Sequence, residues 1–384
     1  MVKLGDICTI VSGSTPKSNI PEYWDGDVKW ITPAELNEDT YIINDSVRHI
    51  TELGVQKTGL KPFPKDTVIL SSRAPIGKTA IAGCEMYCNQ GFKNLICSER
   101  INPRYLYWFL SCNTEYLNSL GRGATFKEIS KEIVANIEIP LPPLEQQSAI
   151  AVKFEQVSKL ISLRKEQLAK LDQLIKARFI ELFGDPVEND FRWQIKPLGD
   201  ICNTIVDCPH STPSYTNENT GFMCIRTSIV KKNRILWDDI EYIPEHEYYK
   251  RIQRKRPEKG DIVYTREGAI LGIAAMIDRD CNVALGQRSM LLSPDTTKCL
   301  PQFLSVAMNF DTFLRKALGG ISGSASPHIN VGDIKVFDII LPPLELQKQF
   351  VDFAEQTEKT KLTIQASLDK LEVMKKALMQ EYFG

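Results

Sequence analysis

Leu141-Pro142-Pro143-Leu144-Glu145 recurs as Leu341-Pro342-Pro343-Leu344-Glu345, at an offset of 200 residues. Continued without a gap, that offset places Leu168, Lys170 and Leu171 on Leu368, Lys370 and Leu371. It also places Lys176-Ala177 on Lys376-Ala377 and Phe183-Gly184 on Phe383-Gly384. Seventeen of the 44 aligned positions are identical, and a repeat of this kind decides the architecture before any local reading does. Upstream, with small gaps, Leu4-Gly5-Asp6-Ile7-Cys8 reappears as Leu198-Gly199-Asp200-Ile201-Cys202. Asp66-Thr67-Val68 matches Asp261-Ile262-Val263, and 123–130 matches 323–330. The 384 residues read as two units in tandem.

Each unit opens with a mixed part and closes with a helix. Val68–Leu70, Ile137–Ile139, Ile262–Tyr264 and Phe337–Ile340 are short strand-like runs broken by Gly, Pro, Asn and Asp, as turn chemistry requires. Pro near the start marks helices at Pro103–Cys112 and Pro301–Leu318. Pro142-Pro143 then imposes extended backbone before the closing helix. There Ile150, Phe154, Val157, Ile161, Leu168, Leu171, Ile175 and Leu182 keep a 4–3 spacing, with Arg164 and Arg178 on the same seam. Five heptads make a helix of roughly 55 Å. In the second copy Phe350, Ile364, Leu368, Leu371 and Leu378 keep the stripe, while Lys361 and Lys375 interrupt it. Neither helix buries its stripe alone, so the two are expected to pair, the alternative being that each packs on its own domain. An antiparallel pair would set the mixed domains at opposite ends of a rod.

Composition narrows the class. Hydrophobic content of 43% and charge of 25% suit a globular protein. No basic start followed by an apolar run is visible, and no stretch approaches the roughly 18 apolar residues of a membrane span. The ten cysteines contain no CxxC pair, so reduced, cytosolic thiols are expected. A net charge of −1 means that any nucleic-acid surface must come from local patches. Catalytic patterns fail one by one. Pro75-Ile76-Gly77-Lys78-Thr79 ends like a phosphate-binding loop, but Ser72 stands where its first glycine belongs, and the second copy has Ile273 in place of Lys78. The four histidines, His49, His210, His246 and His328, lack the spacing of a zinc site. No GxSxG elbow appears. Asp185-Pro186-Val187 and Asn102-Pro103-Arg104-Tyr105 do not match the tetrapeptide of an adenine methyltransferase. No metal or cofactor is expected.

The order of mixed domain, LPPLE-type helix ending in Phe-Gly, mixed domain and second LPPLE-type helix resembles the specificity subunits of type I restriction–modification systems. The resemblance covers essentially the whole chain. Gly13-Ser14-Thr15-Pro16 with Tyr23-Trp24-Asp25-Gly26-Asp27-Val28-Lys29-Trp30-Ile31, and Asp207-Cys208-Pro209-His210-Ser211-Thr212-Pro213, look like openings of target recognition domains. Ala74-Pro75-Ile76-Gly77-Lys78 resembles their mid-domain turn, and Leu182-Phe183-Gly184-Asp185-Pro186 the junction into the second domain.

The resemblance implies an α+β protein with a pseudo-twofold internal repeat. Two mixed α/β target recognition domains, 1–140 and 185–340, would be joined by two long helices, 141–184 and 341–384, forming an antiparallel coiled coil. It implies a non-catalytic, cytoplasmic subunit that binds double-stranded DNA at a bipartite target. Partners would be two copies of a methylation subunit that binds S-adenosylmethionine and modifies adenine, and a translocase/endonuclease subunit; no membrane is involved. Two other readings stay open: the specificity subunit of a related enzyme that cleaves on both sides of its site, and a coiled-coil protein-interaction scaffold.

Half-sites roughly 34 Å apart, one turn of DNA, are compatible with a rod of about 55 Å. Base reading needs donors and acceptors on exposed loops, with Arg to guanine and Asn or Gln to adenine favoured. The first unit offers Ser14, Thr15, Lys17, Arg73, Lys78, Asn89, Gln90, Arg122 and Lys127. The second offers His210, Ser211, Tyr215, Arg226, Arg266, Gln287, Arg288 and His328. Each also reads as a solvated loop side chain. Gln90 and Gln287 stand in equivalent places, for a common role that is either structural or base-reading. Arg251, Arg254, Lys255, Arg256 and Lys259 form the densest basic cluster, read equally as phosphate contacts or an ordinary loop. Trp24, Trp30 and Trp237 are expected in the core rather than as stacking platforms.

Overall fold

A computed structural model describes residues 1–37, 40–73, 75–123, 127–319 and 327–384. Ala74 of the expected mid-domain turn, and positions 124–126 and 323–326 of the expected repeat, lie outside them. The chain divides into two compact units, one formed by Met1–Glu166 with Gln365–Gly384 and the other by Gln167–Ile364.

In the first unit Cys8–Ser12 pairs antiparallel with Lys93–Cys97, with Ile10 opposite Leu95. Val68–Leu70, Thr79–Ala82 and Ile42–Ile43 complete a five-stranded sheet. A smaller sheet holds Arg48–Ile50, Trp24–Ile31 and Tyr87–Cys88. The helix Pro103–Cys112 starts where expected, its Asn102 side chain accepting from Arg104 N, and buries Tyr105 to Leu110 against the main sheet.

The second unit repeats the scheme. Cys202–Asp207, Ser289–Pro294, Ile262–Thr265 and Ala274–Met276 form a four-stranded sheet. Glu241–Tyr242, Met223–Ile225 and Val283–Leu285 form the smaller one. One expectation is corrected: Pro301–Leu318 is two helices, Pro301–Met308 and Asp311–Leu318. Phe310 is extended (ψ 142°). The Asn309 side chain at the break accepts from Ala274 N and donates to Ala274 O and Asn233 Oδ1, so the break ties helix to sheet.

The long helices run Leu144–Phe183 and Leu344–Phe383. The first ends at Gly184 in the left-handed region (φ 75°), where its N–H still reaches Ile180 O. In the first unit Lys153 Nζ meets Tyr382 OH at 2.8 Å and Lys165 meets Glu372 at 3.6 Å. In the second unit Phe183, Arg178 and Asp172 meet Phe350, Phe353 and Lys361 in turn. Numbers fall along one segment as they rise along the other, so within each unit the two helical segments pair antiparallel. The expected seam is the covered face, with Ile150, Phe154, Val157, Ile161 and Ile175 buried.

Lys361 and Lys375 do not break the second stripe; they lie on it. Lys361 Nζ bonds Asp172 at 2.6 Å and Glu358 at 2.7 Å, and Lys375 Nζ stands 5.2 Å from the centre of the Trp108 ring. Both side chains are half-buried, and each head finds a partner, as suits a long amphipathic side chain.

A conserved joint of the repeat was not foreseen. Gln147 is fully buried, accepts from Asn102 N (2.8 Å) and donates to Arg100 O and Pro142 O. Gln347 does the same with Leu300 N, Lys298 O and Pro342 O. One glutamine thus satisfies three backbone groups that the Pro-Pro turn and the neighbouring helix start leave over.

Candidate nucleic-acid interface

In the first unit the strand Cys8–Ser12 delivers the chain into Gly13-Ser14-Thr15-Pro16-Lys17. Gly13 lies so close to the next loop that a Cβ there would sit 2.1 Å from Cys88 O. Trp30 Nε1 donates to Ser14 O (3.0 Å) and Trp24 Nε1 to Lys17 O (3.2 Å). Both indoles are buried as expected, and their N–H groups fasten the loop rather than meet a base. Thr15 Oγ1 is hydrogen-bonded to Gln90 Oε1.

The second unit repeats this link at the same offset, Thr212 Oγ1 donating to Gln287 Oε1 at 3.3 Å. Among the described residues neither glutamine's amide N–H group has an acceptor, and its oxygen keeps a second lone pair. Equivalent position therefore has an equivalent structural bond, with polar capacity left over. Thr212 was not among the expected residues, although the shared Ser-Thr-Pro triplet marks it.

Around Gln90 the other candidates divide. Gly91 O accepts from Ser72 N at 2.7 Å, which brings Arg73 beside the glutamine loop. Arg73 Nε bonds Glu128 Oε2 (2.9 Å), while buried Lys93 holds the other oxygen (3.2 Å). Those cations hold the Glu128 carboxyl below its ordinary range despite an opposing desolvation effect, the largest single influence. Backbone bridges join Glu128 to both Arg73 and Arg122, so exposed Arg122 and Lys127 fall next to them. Exposed Thr15, Lys17, Gln90, Arg73, Arg122 and Lys127 thus form one run of loops. Two candidates turn inward. Lys78 Nζ donates to Leu36 O (2.6 Å) and Pro33 O (3.2 Å), and Asn89 Oδ1 accepts from Gly91 N. The loop-like Gly77-Lys78 is a structural turn, with Gly77 at φ 94°.

In the second unit Arg266 N bonds Arg288 O and Ile329 N bonds Arg266 O, which places the glutamine loop and His328 on either side of Arg266. Arg266, expected on an exposed loop, is buried: its guanidinium forks onto Asp207 at 2.8 and 2.9 Å. Such a pair leaves no fork for a base. Asp207 also meets His210 Nε2 at 3.0 Å, and His210 stays exposed. Ser211 is tied through its carbonyl to Arg251 Nη2 (2.6 Å). Arg226 pairs with Glu241 (3.0 Å) and covers the Tyr215 ring, whose hydroxyl burial pushes well above its ordinary range. Arg288 and His328 are exposed, Arg288 in the left-handed region (φ 73°).

The basic cluster is not one surface. Arg251 is buried, bonded to Glu247 (2.7 Å) and to Leu285 O. Lys255 is held by Glu258 and Asp261, both at 3.2 Å, whereas Arg254, Arg256 and Lys259 stay exposed. Trp237 is half-buried under the Arg279 guanidinium. Among the described residues, no group of three His, Cys, Asp or Glu is placed to hold a metal ion, and no helix is long and apolar enough to cross a membrane.

With this geometry in place, the chain can be compared with known proteins. The family model for the type I restriction modification DNA specificity domain matches twice, at residues 1–173 and 192–373. Over 366 residues the chain is 29% identical to the type I restriction enzyme MjaIX specificity subunit of Methanocaldococcus jannaschii, covering 91% of this chain and 84% of that protein. It is 23% identical over 328 residues to the EcoKI specificity subunit of Escherichia coli, covering 78% and 69%. The crystal structure of a type I restriction-modification S subunit from M. genitalium superposes with a TM-score of 0.59 at 14% identity, covering 100% of this chain and 95% of that one. A chain from a structural study of complex assembly in the type I R-M system gives 0.58 at 20% identity, covering 100% and 96%. At such identities the superpositions establish a shared fold.

Proposed function

Because this chain belongs to the family of type I restriction–modification specificity subunits, we propose that it reads a split, asymmetric DNA target, each unit taking one half. The observation that carries this reading is the repeated Thr–Gln link. Both units build the same loop pair, and both surround it with exposed side chains that differ. Thr15, Lys17, Gln90, Arg73, Arg122 and Lys127 read the first half-site. His210, Thr212, Gln287, Arg288, Tyr215 and His328 read the second. Base edges are met by the glutamine amides and the Arg288 fork, and phosphates by Lys17, Arg122 and Lys127.

The inward-turned members of the expected set, Lys78, Asn89 and Arg266, position these loops, and exposed Ser211 and Arg226 are tied to Arg251 and Glu241. They act on recognition through shape, not through contact.

Recognition is this subunit's whole task; methyl transfer and cleavage belong to partners in the cytoplasm. Two copies of a methylation subunit carrying S-adenosylmethionine, and a translocase/endonuclease, assemble on it. Exposed Leu160, Leu163, Leu174, Leu362 and Val373 on the long helices supply apolar surface for that assembly. The paired helices set the gap between the half-sites.

Selection from a random-sequence DNA pool, with the methylation subunit present, tests the reading. The recovered sequences should share two short motifs at a fixed gap. Recovery of one uninterrupted motif, or of none, contradicts it.

A further inference from the structure

The second unit contains a cavity of about 390 Å³, and comparison with the first copy of the repeat shows how it arises. In the first unit the helix Pro103–Cys112 presents Trp108 to the long helices, with Tyr107 beside it. Trp108 stacks on Phe154 (5.5 Å, 19°), meets Tyr107 edge-on (4.9 Å) and is covered by Lys375. Tyr41 closes the group against both rings. Aligning Pro103 with Pro301 puts Ser305 at the place of Tyr107 and Val306 at that of Trp108. The offset of 200 puts Ala354 at Phe154 and Ile175 at Lys375. All four replacements line the cavity. Two ring systems and a phenyl have been exchanged for a hydroxymethyl, an isopropyl and a methyl group. A close-packed interior does not forfeit that volume without losing contacts on every wall.

The rim has its own chemistry. The hairpin of Val230–Lys231 and Arg234–Ile235 carries Lys232, Asn233 and Arg234 to the mouth, fixed there by Asn233 N donating to Ala274 O at 3.0 Å. Lys176 and Lys232 converge on Asp311, each at 2.9 Å. Each ammonium has three donors, so both keep capacity for another anion. Five cations line the cavity against three carboxylates. Val306, Ala354, Ile175 and Phe310 give it an apolar floor.

We propose that this cavity binds a planar aromatic anion, its ring on the floor in the volume that the first unit fills with its own rings, its negative group at Lys176, Lys232 and Arg234. The size falls within the range of roughly 300–1,000 Å³ usual for small-molecule sites, as does the combination of apolar lining and a few convergent polar groups. The inference is independent of DNA reading, since none of these residues belongs to the loops assigned to it.

Calorimetric titration of the full chain tests it with four probes: adenosine monophosphate, indole-3-acetate, neutral indole and inorganic phosphate. At least one of the two ring-bearing anions should bind one per chain with a Kd of about 1 mM or tighter. Indole and phosphate should each be at least about tenfold weaker than that anion. Binding of the nucleotide alone marks a nucleotide site, and binding of indole-3-acetate alone an aryl carboxylate site.

Val306→Trp rebuilds the first unit's filling and should weaken binding about tenfold or more. Lys232→Glu with Arg234→Glu, on the exposed hairpin, should do the same without touching the core. Failure of both ring-bearing anions to bind, phosphate binding as tightly as they do, or binding unchanged in either variant overturns the proposal.

Discussion

Asp207 shows how residue type and residue role part company. Arg266 has the side chain that favours guanine, and the sequence around it reads as a loop. What withdraws it is a carboxylate 59 positions away, invisible to any local pattern. Arg73 and Arg226 are also paired, with Glu128 and Glu241, but stay exposed, and such pairings match cations with carboxylates in a chain of near-neutral total charge. Since Asp207 and Arg266 are both largely buried, Asp207→Ala strands a buried guanidinium. It should cost about 3–5 kcal/mol in a denaturant titration; a loss under about 1 kcal/mol would show the pair to be solvated. The cysteines, by contrast, were legible: all ten are free thiols. Burial pushes Cys88 and Cys224 up to about 12, so at roughly pH 8 only about one in ten thousand of either is thiolate. A thiol reagent should label half-buried Cys84 in the native chain and reach Cys88 and Cys224 only on unfolding. Prompt labelling of Cys88 in native buffer would contradict that burial.

At the scale of elements, periodicity carried the long helices almost entirely, because a seam with 4–3 spacing repeats within the segment itself. The lysines at 361 and 375 misread as interruptions for the opposite reason: their partners, Asp172 and Trp108, lie on other elements. Gln147 and Gln347 escaped notice although both copies keep them, because a buried glutamine's task is set by distant carbonyls. Gln147→Leu leaves Asn102 N–H and the Arg100 and Pro142 carbonyls without their partner, and should destabilise the first unit by about 3 kcal/mol. Gln347→Leu should do the same to the second. Hydrogen exchange read unit by unit checks this: each substitution should raise exchange at its own helix start, and a change of equal size in the other unit would contradict a local joint. The break after Met308 was illegible for a kindred reason, since Asn309 ends its helix to serve Ala274 on the sheet.

At the scale of the whole molecule, repetition was the signal that mattered. A chain written twice, with its helices alike and its loops divergent, calls for one scaffold and two different readers. The shared Thr–Gln link and the contrast between Arg73 with Glu128 and Glu267 with His328 at matching bridges are that division in atomic form. Its most direct test is to replace residues 1–140 with the corresponding domain of another family member. The methylated sequence is then mapped in a host that also expresses the methylation subunit. One half of the recognised sequence should change, while the other half and the gap between them stay as they were. A change in both halves, or in neither, would contradict the account.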